Sequence, residues 1–371
     1  MCVKQLICVS DTAWSGLPGR AAQLVGRLKN TRVLYIDPPP DPRDASAAKS
    51  EGEQAAKHVT VLTPPPMSAA ARRGGFRNAC YQRRLARFLA ERMRDYGFEN
   101  PVLWLTDPLS AGLPGRFGHG PVVFDCQGFP PADGPKRAAL AETLSGRADL
   151  VITQSEGARQ ALSAFNAKTA LIPNGVDFEL FQRARDSALA FPNDLFMVKN
   201  PILGHVGLLG DHLELGFVEQ AAGAHPEWSF VFIGECADTE ATRRLREMKN
   251  VYMLGVKPQK QLPLYLCRFD VCMSLYRSGE AGRDVSPMKL YEYLAAGKPI
   301  VSTPQPAQTL DYADVIYIAG GAAEWTAACR KAATERDAWK VRQRMSYAKA
   351  SSWDARVVDV EHVLAELEIE Q

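Results

Sequence analysis

The sequence lacks cysteine pairs of the kind that build disulfide frameworks or zinc sites. Its eight cysteines are scattered through 371 residues, and no two of them are separated by just two residues. Structural zinc sites and small secreted domains place cysteines at short, regular spacings, so this scatter predicts reduced thiols in a cytosolic compartment. The six histidines are equally dispersed. We therefore expect no metal site and no cofactor.

Long hydrophobic runs and a strong excess of one charge are also missing. The apolar run at 6–9 is too short for the core of a signal peptide, and no stretch approaches the roughly 20 apolar residues of a membrane span. The formal net charge is +2, which argues neither for nor against nucleic acid as a partner. These absences predict a cytoplasmic protein and leave peripheral contact with the inner face of the membrane open.

What the sequence does contain is a regular alternation of short apolar runs and helical patterns. The apolar runs are rich in β-branched residues and are bounded by turn residues, as buried strands are. They occupy 6–10, 32–37, 59–63, 102–106, 122–126, 149–153 and 169–173, and then 201–209, 228–234, 250–254, 270–275, 298–303 and 314–319. Such alternation predicts an α/β fold with parallel sheets covered by helices on both faces.

The pattern starts again after a polar, proline-bearing interruption at 191–201. Because the chain exceeds the size at which a single hydrophobic core stops growing, we expect two domains. We predict two doubly wound, Rossmann-like domains, at 1–190 and 191–352, that face each other across a cleft. Ligands of such sheets bind beyond the carboxyl ends of the strands, so residues that directly follow strands carry the most weight.

The stretch VSPMKLYEYLAAGKPIVST at 285–303 places a cation and a carboxylate in apolar surroundings. Ser286 is predicted to cap a helix that ends at Gly297. Lys289 and Glu292 then share one face near the helix N-terminus, where free N–H groups and a lysine favour an anion. The carboxylate can accept hydrogen bonds from a vicinal diol such as a ribose. The alternative is an ordinary intrahelical ion pair on a solvated face.

This stretch resembles the nucleotide-binding signature of GT-B glycosyltransferases, in which a helix ending Glu-x-x-Ala-x-Gly-x-Pro leads into a strand. More narrowly, it is similar to the version in family-four-like, teichuronic-acid-type bacterial polysaccharide glycosyltransferases. Further segments that resemble the family, in the same order, are 14–39, 148–162, 171–181 and 250–277. The resemblance implies a GT-B fold with an acceptor-binding first domain and a nucleotide-sugar-binding second domain. It also implies that a terminal helix at 353–371 crosses back to the first domain.

The resemblance assigns the helix a place in the donor site. Glu292 matches the glutamate that holds the ribose hydroxyls of the donor. Lys289 matches the position that meets the donor pyrophosphate and contributes to catalysis, together with the helix N-terminal residues Ser286, Pro287 and Met288.

Other donor-site residues follow from the same resemblance. Val256 matches the loop whose backbone binds the nucleobase edge. Asp284 stands where many family members carry a glutamate that contacts the transferred sugar, and Glu280 or Arg283 could serve instead. The arginine and lysine that clamp the diphosphate in many retaining relatives are missing after the first strand of the second domain. This leaves the helix lysine, with Arg283 or Arg277, to neutralise the phosphates.

Glycines and carboxylates that follow strands complete the candidate set. Gly207 would let the backbone approach a phosphate and Gly16 would let it approach the transferred sugar, although a solvated turn explains Gly16 equally well. Asp125 ends an apolar strand and is the candidate acceptor-side base or orienting carboxylate. Relatives often carry a further aspartate near Gln127, and Asp107 is a rival candidate. Either aspartate could be a helix cap instead.

The densest charge lies at 71–97, where eight arginines stand against two acids. Apolar residues at helical spacing form a stripe that should face the core, namely Tyr81, Leu85, Phe88, Leu89 and Met93. Nucleic acid is not favoured as a partner because stacking aromatics and a known binding module are both absent. A basic helix suits an anionic membrane surface and acceptor phosphates, whereas a solvated face is the ordinary explanation of a charge run.

These features together predict a glycosyltransferase that moves a sugar from a nucleotide-diphosphate sugar to a glycan or polyprenyl-linked acceptor, in bacterial surface polysaccharide synthesis. Such an enzyme must position the acceptor oxygen and supply fixed positive charge for the departing nucleotide diphosphate. Two alternatives remain open at this point. One is a nucleotide-sugar epimerase of the same fold, and the other is a catalytically silent GT-B subunit that binds sugar or a partner protein.

Overall fold

A computed structural model describes residues 3–15, 19–43, 52–130, 134–277 and 286–369, with side chains described as far as 367. The chain divides into two compact units. The first unit contains the residues up to Pro173 together with those from Arg356 onward, and the second unit runs from Asn174 to Ala355. The boundary therefore lies earlier than the predicted one at 190–191, and the return to the first unit lies within the terminal helix rather than at its start.

The first unit contains an eight-stranded sheet. Its strands are β1 (Gln5–Val9), β2 (Arg32–Ile36), β3 (Glu53–Ala56), β4 (Val59–Leu62), β5 (Val102–Leu105), β6 (Val122–Cys126), β7 (Leu150–Thr153) and β8 (Thr169–Leu171). They lie in the order β3-β4-β2-β1-β5-β6-β7-β8. All neighbours are parallel except β3 and β4. Strand β3 was not predicted, because its EQAA sequence lacks the β-branched residues that mark the other strands.

The second unit contains a six-stranded parallel sheet. Its strands are β9 (Ile202–Val206), β10 (Ser229–Ile233), β11 (Val251–Met253), β12 (Val271–Ser274), β13 (Ile300–Ser302) and β14 (Tyr317–Ile318). They lie in the order β11-β10-β9-β12-β13-β14. Each of the six runs predicted in this half contains one of these strands. The α/β fold class with parallel sheets is thus confirmed.

Helices connect the strands in both units. They are α1 (Arg20–Val25), α2 (Ala69–Arg72), α3 (Gly75–Tyr96), α4 (Pro135–Ser145), α5 (Glu156–Leu162), α6 (Phe178–Phe181), α7 (Leu215–Ala224), α8 (Glu240–Arg246), α9 (Leu262–Arg268), α10 (Met288–Ala295), α11 (Ala322–Ala333), α12 (Ala338–Ala350) and α13 (Trp353–Ile369). Short 3-10 turns lie at Pro108–Gly112, Gln182–Arg185, Asn193–Leu195, Gln259–Gln261 and Ala307–Tyr312. These crossover helices are what parallel neighbouring strands require.

Each unit has its own apolar core, because strands of a parallel sheet are buried on both faces. In the first unit every residue of β5 and β6 is buried, including Trp104. The predicted apolar stripe of α3 packs into this core through Leu85 and Leu89, with Phe88 partly buried beside it. In the second unit the core includes most of α10 and the strands on either side of it.

Candidate functional site

The carboxyl-end edge of the second sheet is where the predicted donor site should lie. The strand order of this sheet reverses between β9 and β12, and ligands of doubly wound sheets bind at such a switch point. Helix α10 connects β12 to β13, so its N-terminus lies at this edge. The structure thus places Met288 and Lys289 where an anion would be bound by helix N–H groups.

Lys289 and Glu292 form an ion pair on α10. The ammonium of Lys289 donates to both carboxylate oxygens of Glu292 at 2.8 Å. The pair does not lie on a solvated face, because the Glu292 side chain is only 5% exposed and that of Lys289 is 29% exposed. Burial raises the pKa of Glu292, and the charge and hydrogen bonds of Lys289 offset part of that rise. The intrahelical pair is therefore real, but it is half embedded in the core.

Helix α10 is fixed at both ends by residues of the same unit. The Tyr293 hydroxyl accepts from Val206 N at 2.8 Å, which attaches the helix to the end of β9. The predicted cap by Ser286 is wrong, because Pro287 occupies the cap position and makes no side-chain cap bond. Ser286 Oγ instead accepts from Asn174 N at 3.1 Å. The predicted end is confirmed, since the helix stops before Gly297.

The backbone at the ends of β9 and β10 makes a close contact that only glycine permits. Gly207 has φ +153° and Gly234 has φ +145°, and a Cβ at Gly234 would lie 1.9 Å from the carbonyl oxygen of Gly207. The chain bends at Gly207, and the approach of its backbone to a phosphate stays a prediction. A side chain at this position would also meet His205, because a Cβ would lie 3.1 Å from His205 Nε2.

His205 is a residue of this edge that the sequence did not single out. Its Nδ1 donates to the Met273 carbonyl at 3.0 Å. Burial lowers its pKa to about 4, so the ring is neutral and Nε2 carries a lone pair. Within the part of the chain that the structure describes, this buried Nε2 has no hydrogen-bond partner. A histidine inside an apolar strand pattern gives no sequence signal that separates it from a core residue.

Other predicted donor-site residues have mixed placements. Arg277 Nε donates to Glu214 Oε1 at 3.0 Å, so this arginine is held by a carboxylate. Val256 is exposed and follows Gly255, whose φ of +68° lies in the left-handed region that favours glycine. The predicted residues Gly16, Glu280, Arg283 and Asp284 lie outside the described residues.

Asp125 lies at the end of β6, as predicted, but its side chain is 0% exposed. Its Oδ1 accepts from Arg20 Nε at 2.9 Å. Arg20 also donates to the carbonyls of Ile172 and Pro173 at 2.7 and 3.0 Å. Burial raises the pKa of Asp125, and Arg20 offsets part of that rise. Asp125 is thus enclosed at the end of β6 and paired with Arg20, and its role as an acceptor-side base stays a prediction.

An exposed carboxylate lies at the same edge, at Asp11. The strand order of the first sheet reverses between β1 and β5, and Asp11 follows β1. Its Oδ1 accepts from Thr106 Oγ1 at 2.7 Å and from Gln127 Nε2 at 3.3 Å. The rival candidate Asp107 caps the following 3-10 turn by accepting from Leu109 N at 2.9 Å, so the cap interpretation of that residue is confirmed.

The outer face of α3 presents the predicted arginine cluster to solvent. The exposed arginines on and before this helix are Arg72, Arg73, Arg77, Arg83, Arg84, Arg87 and Arg94. Phe76 lies among them near the start of the helix and is 79% exposed. A bare aromatic ring among arginines was not predicted, since the sequence pattern alone does not show which side of the first turn faces outward.

None of the helices in the described part of the chain is both long and apolar enough to cross a membrane. Among the same residues, no three His, Cys, Asp or Glu side chains are grouped so as to hold a metal ion.

Known proteins match this chain in sequence and in fold. Residues 202–335 match the family model described as "Glycosyl transferases group 1". The Bacillus subtilis (strain 168) protein described as "Putative teichuronic acid biosynthesis glycosyltransferase TuaH" is 25% identical over 281 residues, which cover 69% of this chain and 70% of that protein.

Solved structures show the same fold over nearly the whole chain. An alpha,alpha-trehalose-phosphate synthase (UDP-forming) from Burkholderia vietnamiensis has a TM-score of 0.75 at 14% identity and covers 99% of both chains. An E. coli protein described as trehalose-6-phosphate bound with UDP-2-fluoro glucose has a TM-score of 0.74 at 15% identity, and the match covers 98% of this chain and 99% of that one. The second unit therefore contains a glycosyl transferase group 1 domain, and the chain is a glycosyltransferase with the GT-B fold.

Proposed function

We propose that the protein transfers a sugar from a nucleotide-diphosphate sugar, which the second unit binds at the N-terminus of α10. The observation that carries this proposal is the half-buried pair of Lys289 and Glu292 at the switch point of the sheet. The group 1 family match includes this segment. A UDP-forming enzyme and a protein bound with a UDP sugar among the fold neighbours support a nucleotide donor.

The chemistry of the pair suits a nucleotide diphosphate. The ammonium of Lys289 has three protons, so it can hold a phosphate oxygen and still bond to Glu292. The first N–H groups of α10 have no partner within the helix and add positive potential at the same place. This fixed positive charge would stabilise the nucleotide diphosphate as it leaves in the transition state. Glu292 would accept hydrogen bonds from the ribose hydroxyls.

Other predicted contacts remain part of this proposal. The Gly207 turn would approach the phosphates, and the backbone beside Val256 would meet the nucleobase. Arg277 would have to break its ion pair with Glu214 before it could bind a phosphate. Contact with the transferred sugar stays a prediction for Asp284 or Arg283 and, separately, for Gly16, all of which lie outside the described residues.

We place the acceptor on the first unit. In this proposal Asp11 takes the role of the orienting carboxylate, because it is exposed at the switch point of the first sheet. Similarity to a protein described as acting in teichuronic acid biosynthesis supports a glycan or polyprenyl-linked acceptor in bacterial surface polysaccharide synthesis. We expect Asp11→Asn to lower turnover with nucleotide affinity unchanged.

The outer face of α3 suits the anionic surface of a membrane that carries such an acceptor. Arginines near the surface attract anionic lipids, and an exposed aromatic ring can enter the headgroup region. Phe76 with the neighbouring Arg73 and Arg77 offers both contacts. We propose that this face gives salt-sensitive, peripheral binding at the cytoplasmic side of the membrane.

The donor assignment is tested by nucleotide binding to the full chain, measured by thermal shift and calorimetry with UDP, GDP and ADP. Lys289→Ala should weaken the best diphosphate about tenfold or more, since charge-assisted hydrogen bonds are the stronger class. Its affinity for the parent nucleoside should not change. Glu292→Ala should weaken both ligands, because both carry the ribose. Lys249→Ala is the matched control, as Lys249 is exposed and precedes β11 at the opposite edge of the sheet. Stabilisation by none of the nucleotides, or a diphosphate affinity unchanged in Lys289→Ala, would refute the assignment.

The membrane contact is tested by sedimentation with phosphatidylglycerol vesicles and with neutral phosphatidylcholine vesicles. Wild type should bind the anionic vesicles at low salt only. Phe76→Ser and Arg77→Glu should each reduce binding, whereas Arg94→Glu at the far end of the helix should have a smaller effect. Equal binding by Phe76→Ser and wild type would show that the Phe76 ring does not contribute to the contact. Absence of vesicle binding by wild type at low salt would refute the proposal.

A further inference from the structure

A small pocket of the first unit is lined by polar groups that the donor chemistry does not use. It lies between the carboxyl ends of β1, β2 and β5 and the inner face of α3. We call it the α3 pocket, and its polar lining comes from Ser10, Asp37, Tyr81, Gln82, Asp107 and Ser110. Its volume is about 30 Å³. A water molecule needs about 10–15 Å³ measured in this way, so the pocket can hold a hydroxymethyl group but not a whole sugar ring.

Two side chains that line this pocket carry polar atoms without partners. Within the described residues, the Tyr81 hydroxyl and Gln82 Oε1 are buried and make no hydrogen bond. The other end of the Gln82 amide is held, because its Nε2 donates to the Leu109 carbonyl at 3.0 Å. This bond orients the amide, and Oε1 is the amide atom without a partner among the described residues. Folded proteins pair more than 90% of such buried groups with protein or ordered water, so two of them on side chains that line one pocket indicate an occupant, either water or a ligand group.

The lining selects the chemistry of the occupant. Gln82 Oε1 can only accept, and the carboxylates of Asp37 and Asp107 are acceptors when ionised. Burial raises the pKa of Tyr81, so its phenol keeps its proton and can donate as well as accept. A phosphate would meet the carboxylate of Asp37 here, while that of Asp107 is already paired with Arg137 at 2.7 Å. An alcohol, by contrast, donates and accepts in one group. The apolar walls, which include Met67 and Leu85, suit the CH₂ of a hydroxymethyl group.

The geometry points to the α3 pocket as a specificity subsite that binds a hydroxymethyl group of the acceptor sugar. The inference rests on the proposed function, because it takes the first unit to be the acceptor side. The pocket touches Ser10 and Asp107, which follow β1 and β5, and so it adjoins the switch point where Asp11 lies. A sugar whose hydroxymethyl group occupies the pocket would therefore have its ring close to that exposed carboxylate.

The test uses methyl glycosides as probes on the full chain. Methyl α-D-glucopyranoside, mannopyranoside and galactopyranoside are titrated by ligand-observed NMR beside their 6-deoxy counterparts. For at least one pair, wild type should bind the hydroxymethyl form about three- to tenfold more tightly, as expected for one hydrogen bond. Tyr81→Phe should abolish this difference. Tyr96→Phe is the matched control, because it is the same change at the other end of α3, outside the pocket.

The outcomes separate a ligand site from a hydrated pocket. Tyr81→Phe should fold with unchanged or higher stability, because the variant buries one fewer unpaired polar group. If no glycoside binds, or if Tyr81→Phe weakens the paired probes equally, the pocket holds structural water only and the inference is overturned. Binding of UDP, GDP and ADP is measured in the same samples. Absence of nucleotide binding would count against the proposed donor site. It would not affect the test of the α3 pocket, which depends only on whether Tyr81→Phe abolishes the preference for the hydroxymethyl probe.

Discussion

Replacing Lys289 with methionine removes the cation from a carboxylate that the fold has largely buried. Exposed ion pairs contribute about 0–1 kcal/mol, and breaking a fully buried pair costs about 3–5 kcal/mol. The Glu292 side chain is 5% exposed and that of Lys289 is 29% exposed, so this pair falls between the two cases. We expect Lys289→Met to lose about 2 kcal/mol, which for a unit of this size corresponds to roughly 4–8 °C in Tm.

The loss should depend on pH with a definite sign. Burial raises the folded-state pKa of Glu292 above its ordinary value of 4.5, and removing Lys289 should raise this pKa further. A raised carboxyl pKa means that the folded state binds the proton more tightly, so stability falls as pH rises from 4.5 through the folded-state pKa. The deficit of Lys289→Met relative to wild type should therefore be smallest near pH 5 and largest near pH 8.

A double-mutant cycle with Glu292→Gln measures the coupling directly, using urea unfolding at pH 5 and pH 8. The double variant should regain most of the stability at pH 8, because no buried charge is left unpaired. Saturating nucleotide diphosphate should reduce the coupling, since Lys289 would then share its protons with phosphate oxygens. A deficit below about 0.5 kcal/mol that does not change with pH would show that solvent screens the pair, and the reasoning would be refuted.

Two further predictions concern the packing of each unit. Gly204→Ala should lower the free energy of unfolding by at least about 1–3 kcal/mol in chemical unfolding, because its Cβ would lie 2.0 Å from the Phe269 ring. Gly216→Ala, on α7 with open space around it, should instead raise the free energy of unfolding by about 0.4–1 kcal/mol. Similar losses of stability in both variants would contradict the packing argument. Asp125→Asn should lower stability by weakening the buried pair with Arg20, while turnover per folded molecule stays near that of wild type. A variant that folds but has no turnover would instead support the role of Asp125 as a base.

The strands could be predicted because burial on both faces leaves a strong mark in the sequence. Runs such as VLWL at β5 and SFVFI at β10 are apolar at nearly every position. This pattern is typical of a strand whose two faces are both covered by helices. Strand β3 carries no such mark, because it is the antiparallel edge strand and most of its residues are exposed. Its position depends on β4 rather than on its own residues.

The site could be predicted only where a motif fixes spacing along one element. Lys289 and Glu292 lie one turn apart on a single helix, so their contact follows from helix geometry. The burial of Asp125 depends on Arg20, which lies 105 residues earlier in the chain. No local pattern reports such a pairing. The hydrogen bond between Asp11 and Thr106 joins the ends of two different strands, and it becomes visible only once the strand order is known.

Stability alone does not explain why α10 carries an ion pair in apolar surroundings. Replacing a buried ion pair with well-packed apolar side chains is often neutral or stabilising by about 1–4 kcal/mol. Apolar residues at positions 289 and 292 would therefore be compatible with a stable fold. The Tyr81 hydroxyl is a similar case, because phenylalanine would fill the same space without an unpaired group. Polar groups that cost stability while a ligand is absent are expected where binding supplies the missing partner. The pair on α10 and the orphan hydroxyl on α3 are thus explained together if one binds the donor and the other the acceptor.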